Sequence, residues 1–265
     1  MQSITAKDNQ WLRLARAVAS KKGRDEEGCY LIEGLRLCGE ALAMALPIIY
    51  VFFSETAFRD GRYVRLAEEA ELQRRHIALV RDDLFEKICD TEHPQGIAML
   101  LEMPEREPLP RVQGGCYAYT DGIRDPGNLG TIIRSAHAAG LSGLLLSPDS
   151  ADPFNPKTVR SAMGASFKLP ILQCESTRLA RQYIEELGCH VLVADAEGRD
   201  IRDCTPLLQQ SHIWILGSEA EGPTPFWKEH AKSLVSLPME PDAESLNVAS
   251  AAAVLFYQSR FARRR

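Results

Sequence analysis

Three segments in the second half of this 265-residue chain concentrate side chains able to hold a hydroxyl, an anion or a flat ligand. In DGIRDPGNLGTIIRSAHAAG (121–140) a strand ends in a turn containing Pro126, Gly127 and Gly130. A helix follows, with Asn128 as its expected N-cap and Arg134 off the buried stripe of Ile132, Ile133, Ala136 and Ala139. Such a turn suits an anion, although neither the dinucleotide-binding nor the P-loop glycine pattern is present. In WILGSEAEGPTP (214–225) an apolar strand runs into Glu219 and Glu221. Gly217 and Gly222 flank them and let a planar ligand approach the backbone. Ser218 lacks the second glycine of a nucleophile elbow, which argues against a serine hydrolase. In SLPMEPDAESLNVASAAAVLFYQ (236–258) a strand and a polar loop precede a helix starting near Glu244 or Ser245, with Asn247 in its first turn. Leu246, Ser250, Ala253, Val254 and Tyr257 form one stripe, mostly of small residues, that lets another backbone come close. Taken singly, Arg134 reads as a surface arginine, the glycines as tight turns and the glutamates as solvated, so no one segment decides a function.

The elements that must position these residues alternate. CYAYTDG, GLLLSP, KLPILQ, CHVLVAD, HIWILGS and SLVSLPM are candidate strands. Helical stretches near 129–139, 156–163, 177–187, 224–232 and 245–260 separate them. This alternation predicts an α/β fold with a mostly parallel sheet and helices on both faces. Ligands of such sheets bind at the carboxyl ends of the strands. Earlier in the chain CYLIEG, PIIYVFFS, HIALV and GIAMLLE suit buried strands, and Trp11, Leu14, Ala15 and Val18 predict a helix over 8–20. Together they make a smaller α/β domain over 1–104. EMPEREPLPRVQGG carries three prolines and no period, which marks 105–115 as a linker before a domain over 116–265.

The composition, 45% hydrophobic and 25% charged, is that of a folded globular chain. No apolar run approaches the roughly 20 residues of a membrane span, and the amino terminus lacks a secretory core, so a cytoplasmic protein is expected. Seven cysteines without a CxxC pair read as reduced thiols, and six histidines without metal-ligand spacing make a metal site improbable. The net charge of −5 is spread over both halves: residues 1–102 hold 14 basic and 17 acidic groups, residues 103–265 hold 17 and 19. The ends differ: residues 1–24 hold six basic groups against one acid, and the terminal RFARRR holds four against none. The net acidity argues against nucleic acid as a partner, but both ends are local basic patches on an acidic body.

In this order, NLGTIIR, LGSEAEG, and PM followed by ESLNVASAAAVL resemble the three motifs of the SpoU (TrmH) family of RNA ribose 2′-O-methyltransferases, within the SPOUT superfamily. FNPKTVRSAMGASFKLP (154–170) is similar to the family's intervening segment, so the likeness spans about 120–258. IEGLRLCGEAL (32–42) and HPQGIAM (93–99) resemble the amino-terminal substrate-binding domain of ribosomal-RNA members, which has a ribosomal-protein-like fold. Glu240, Pro241 and Asp242 depart from the pattern where members often carry a glycine after the PM pair.

The resemblance implies S-adenosylmethionine held in a trefoil knot near Leu216, Gly217, Gly222, Leu237, Met239 and Leu246, a homodimer, and a structured, ribosomal RNA substrate. It places the catalytic arginine at Arg134, with Asn128, Glu219, Ser245 and Asn247 orienting it and the substrate. Because an arginine stays protonated in proteins, Arg134 is expected to fix the ribose and an adjacent phosphate rather than act as a simple base. Lys7, Arg13, Arg16, Lys21, Lys22, Lys157 and Arg160 are candidate phosphate contacts. A transfer-RNA 2′-O-methyltransferase and a non-catalytic RNA-binding or assembly factor on the same fold remain as alternatives.

Overall fold

The computed structural model describes residues 1–265 except Asp60, Arg62, Pro241, Ala243, Glu244, Arg264 and Arg265. Pro241 and Glu244 of the third segment, and the last two arginines of the basic carboxyl end, therefore lie outside the described residues. In chain order the helices are α1 (Gln10–Ala17), α2 (Lys21–Glu27), α3 (Leu35–Ala43), α4 (Glu55–Arg59), α5 (Val64–Leu72), α6 (Asp82–Phe85), α7 (Pro126–Ala139), α8 (Pro156–Ala162), α9 (Thr177–Leu187), α10 (Thr205–Leu208), α11 (Pro225–Glu229) and α12 (Val248–Arg263). Among the described residues no helix is long and apolar enough to cross a membrane.

The chain divides into two compact units, Met1–Glu105 with Phe154–Gly164, and Arg106–Pro153 with Ala165–Arg265. The helix expected over 156–163 thus forms as α8 but clusters with the first unit rather than with the second half of the chain.

Among the described residues of the first unit, strands β1 (Gln2–Ile4), β2 (Cys29–Glu33), β3 (Ile48–Ser54), β4 (His76–Val80) and β5 (Ile97–Glu102) form a sheet ordered β1-β4-β3-β5-β2. β1, β4 and β3 pair in parallel, and β5 runs against both β3 and β2. The helix expected over 8–20 is shorter and is followed by a second. Asn9 caps α1 by accepting from Trp11 N at 2.9 Å, and Ser20 caps α2 by accepting from Gly23 N at 3.0 Å. Arg24 is buried and donates to the carbonyls of Val18 and Ala19 at 2.8 and 3.0 Å, which the end of α1 leaves open. Leu12, Ala15 and Val18 carry the buried face of this region, with Trp11 and Leu14 only partly buried.

In the second unit, among the described residues, β6 (Cys116–Asp121), β7 (Gly143–Leu146), β8 (Ile171–Gln173), β9 (His190–Asp200), β10 (His212–Gly217) and β11 (Ser233–Ser236) form an all-parallel sheet ordered β11-β9-β10-β6-β7-β8. β6 and β10 are buried along their whole length, which explains their continuous apolar sequences. At the start of β10 the buried His212 bonds through Nδ1 to the Gln210 carbonyl and through Nε2 to Ser259 Oγ, each at 2.8 Å. Ser259 also accepts from Trp214 Nε1 at 2.8 Å, which ties α12 to the central strand. Parallel pairing brings the carboxyl ends of all six strands to one edge of the sheet, where the loops carrying the three segments begin.

Candidate active site

Asp125, not Asn128, caps α7. Its Oδ1 accepts from Asn128 N at 2.8 Å, and Pro126 occupies the first turn, where its missing N–H is no loss. Asn128 is thereby free of capping: its Nδ2 donates to Glu219 Oε1, and its Oδ1 accepts from Asn247 Nδ2 at 3.1 Å. Asn247 itself caps α12, accepting at Oδ1 from Ala249 N at 3.0 Å and Ser250 N at 3.3 Å. The helix expected from residue 245 therefore begins at Val248, with Ser245 in the loop before it. One residue from each segment joins a single exposed chain, Glu219–Asn128–Asn247.

The turn after β10 is fixed by packing. A Cβ on Gly217 would lie 2.0 Å from Pro223 N and 2.1 Å from the Gly222 carbonyl carbon, so no larger residue fits. Gly222 has open space around it but a φ of +68°, which disfavours other residues. Ser218 closes the turn, its carbonyl accepting from Gly222 N at 2.9 Å and its Oγ from Glu221 N at 3.2 Å. Asp121 at the end of β6 accepts from Thr224 N at 2.7 Å, fixing the exit of the same loop.

Beside this turn lies a cavity of about 400 Å³. Leu216, Gly217, Gly222, Leu237, Met239 and Leu246 all line it, and so do Glu219 and Ser245. Sequence reasoning missed one wall. Between Leu234 and Val235 of β11 the partner on β9 jumps from Val193 to Arg199, so 194–198 stand out of the ladder. Ala194, Asp195, Ala196 and Glu197 from this excursion line the cavity, as does Lys228 of α11. Asp195 is nearly buried and pairs with Lys228 Nζ at 2.6 Å. Burial pushes its carboxyl up, but the bonds from Lys228 and from Glu197 N outweigh burial and hold it below the ordinary range, as a carboxylate. A carboxylate at the end of a parallel strand was the available signal.

Arg134 is exposed on α7, and no hydrogen bond or ion pair joins it to the described residues. The Glu219–Asn128–Asn247 chain does not reach it, so within one chain the expected orientation of Arg134 by these residues is absent. On α12 the buried face is Ala249, Ala252, Leu255, Phe256 and Ser259, whereas Ser250, Val254 and Tyr257 of the expected stripe are exposed. Among the phosphate candidates, Lys7, Arg13, Lys21, Lys22 and Lys157 are exposed, and Lys22 pairs with Glu26 at 3.6 Å. Arg16 donates to the Lys7 carbonyl at 2.8 Å. Arg160 is taken up by Glu33 and Asp90, which departs from its expected role as a phosphate contact.

The model of the SpoU rRNA methylase family matches residues 116–257, the stretch that builds this site. The chain belongs to the SpoU rRNA methylase family. A second model, the MRM3-like substrate binding domain, matches residues 9–99. The chain is 33% identical to the 23S rRNA (guanosine(2553)-2′-O)-methyltransferase of Bacillus subtilis, over 98% of this chain and 100% of that one. Among solved structures, the AdoMet-bound rRNA methyltransferase from Sinorhizobium meliloti is 29% identical, with a TM-score of 0.86 over 98% of this chain and 97% of that one. The SpoU methyltransferase AviRb from Streptomyces viridochromogenes, in complex with AdoMet, is 25% identical with a TM-score of 0.87 over 97% and 98% of the two chains.

Proposed function

We infer that this SpoU-family chain is an S-adenosylmethionine-dependent methyltransferase that modifies a ribose 2′-hydroxyl of ribosomal RNA. The observation that carries this reading is one cavity lined by the second and third motif segments, to which Asn128 of the first is joined by its bonds to Glu219 and Asn247. The cavity suits the cofactor: Leu216, Val235, Leu237 and Leu246 offer apolar walls for a planar base, and the backbone approaches closely at Gly217. Asp195 is neutralised by Lys228, but Glu197 and Glu219 keep the lining net negative, which suits a cationic ligand. Relatives in the family that carry a 2′-O-methyltransferase name are described as acting on 23S rRNA, which favours ribosomal over transfer RNA.

S-adenosylmethionine supplies an electrophilic methyl group, so the protein's task is to position the ribose and assist loss of the hydroxyl proton. Arg134, exposed and unpaired with the described residues, is available to fix the ribose and a neighbouring phosphate by charge-assisted hydrogen bonds. Asn128 and Asn247, already bonded to each other and to Glu219, hold the edge of the site rigid while Ser245 faces the cavity. The 2′-hydroxyl is the group that distinguishes RNA from DNA at such a site.

The reading includes a cytoplasmic homodimer with a carboxyl-terminal trefoil knot and an amino-terminal domain of ribosomal-protein-like fold. Two observations support the dimer and the knot. Val254, Tyr257 and Phe261 form an exposed apolar stripe on α12 that suits a second copy. The loops after β10 and β11 line the same cavity, as a threaded end requires. Mapping 2′-O-methyl positions across total RNA from cells with and without the protein tests the function. Loss of one ribosomal site is expected, whereas loss of a transfer-RNA site or of none supports the corresponding alternative.

A further inference from the structure

Within the first unit a second cavity, of about 290 Å³, is lined by residues of α1, β2, α3 and α8 and of the turn Glu86–Ile88. None of the residues proposed for methyl transfer lines it. Its walls are aliphatic: Ala15, Ala19, Leu31, Leu37, Ile88 and Val159. Two carboxylates, Glu33 and Asp90, interrupt them. The side chain of Glu33 is 8% exposed; its Oε1 accepts from Arg160 Nη1 at 3.1 Å and its Oε2 from Thr91 Oγ1 at 3.1 Å. The other terminal nitrogen of Arg160 bonds Asp90 at 2.7 Å.

A nearly buried carboxylate against aliphatic walls is costly unless compensated, and Arg160 supplies the compensation. A carboxylate offers about four lone-pair sites; Arg160, Thr91 and the Cys89 thiol engage Glu33, which leaves it room for one further donor. Glu33 and Asp90 each hold one terminal nitrogen of Arg160, which fixes the guanidinium plane at the cavity wall and offers a ligand its flat face. Arg16, held by its bond to the Lys7 carbonyl, and the exposed Lys87 add positive charge to the lining.

We propose that this cavity takes one unstacked nucleobase of the RNA substrate. The base faces meet the aliphatic walls and the Arg160 plane, its N–H edge turns to Glu33, and its flanking phosphates lie toward Arg16 and Lys87. The volume sits at the lower end of ligand sites, which matches a single base and excludes a duplex. Protein readers of RNA take splayed bases by stacking on flat or apolar groups and by hydrogen bonds to their edges. This proposal rests on the RNA-methyltransferase reading and deepens it, since it says how the first unit recognises its substrate.

The test uses the full chain and a 23S rRNA transcript. Ala19→Phe places an aromatic ring at the exposed edge of the cavity, and Lys87→Glu reverses a charge on its lining. Ala19→Phe should raise KM for the transcript about tenfold or more, with kcat and the affinity for S-adenosylmethionine within twofold of wild type. Lys87→Glu should raise KM threefold to tenfold and weaken its dependence on salt. An unchanged KM in both variants, while the wild type methylates, overturns the base pocket and leaves the function intact. Absence of methylation by the wild type overturns the function instead. Filter binding of the same transcript then decides the pocket: tenfold weaker binding by Ala19→Phe supports it, and equal binding overturns it.

Discussion

In the second unit the polar side chains of the site reach one another near the surface: Glu219 from the turn after β10, the half-buried Asn128 from the first turn of α7 and Asn247 from the cap of α12. In the first unit several cations turn inward instead. Arg24 is buried against the carbonyls at the end of α1, and Arg160 is clamped between Glu33 and Asp90. A chain of side-chain hydrogen bonds near the surface is accessible to a ligand, whereas a buried arginine satisfied by carbonyls sets the shape of its surroundings. Polar side chains thus edge a candidate site in one unit and set the architecture in the other.

That contrast can be broken or sharpened by substitution. The largest effect is expected at Arg134, whose replacement by Ala should lower methyl transfer by about a hundredfold to a thousandfold and leave thermal unfolding unchanged. Arg134→Lys should not restore the rate, because a lysine lacks the planar fork. Labelled-methyl transfer with a calorimetric control measures both. Next is Gly217→Ala, whose Cβ would sit inside the backbone of Gly222 and Pro223. It should cost about 3 kcal/mol or more and abolish binding of S-adenosylmethionine, whereas Gly222→Ala, with open space around it, should cost about 1–2 kcal/mol.

Acid should distinguish the units as well. Burial pushes His212 down from 6.5 to about 4, while His76 and His93 of the first unit are exposed. The unfolded state binds a proton on this histidine that the folded state refuses between pH 6.5 and 4, so the associated stability is present above pH 6.5 and is lost as pH falls through that window. The loss should be on the order of 3 kcal/mol by pH 4. Hydrogen exchange should show β10 amides losing protection there ahead of those of β3. Smaller effects are expected at two arginines of the first unit, the buried Arg24 and the exposed Arg13. Arg24→Ala should destabilise by about 2 kcal/mol through unsatisfied carbonyls. Arg13→Ala should leave unfolding within about 0.5 kcal/mol and lower the salt slope of RNA binding by about 0.7 to 0.9 if it contacts one phosphate.

The parts of this arrangement that can be read from sequence are those whose cause is local. β6 and β10 declare themselves because burial on both faces demands unbroken apolar runs, and α9 spans 177–187 as its periodicity predicts. The ordered segments around Asn128, Glu219 and Asn247 are equally visible, and the cavity gathers all six residues expected to hold the cofactor. What stays hidden depends on contacts distant in sequence. Asp125 and Asn128 compete for the same cap, and Pro126 decides between them. β1 is three residues long, and α2, KKGRDEE, carries no apolar stripe. Asp195 enters the cavity through a register jump between β9 and β11, which no periodicity records. Arg160 looks like a phosphate contact until Glu33 and Asp90, far away in sequence, are brought to it.

The central claim is best tested by incubating the purified chain with methyl-labelled S-adenosylmethionine and a 23S rRNA transcript, then hydrolysing the product with alkali. The account predicts label in a dinucleotide that resists cleavage, because a methylated 2′-oxygen cannot attack its phosphate, and loss of that label in Arg134→Ala. Label recovered on a base, or undiminished transfer by Arg134→Ala, would contradict it.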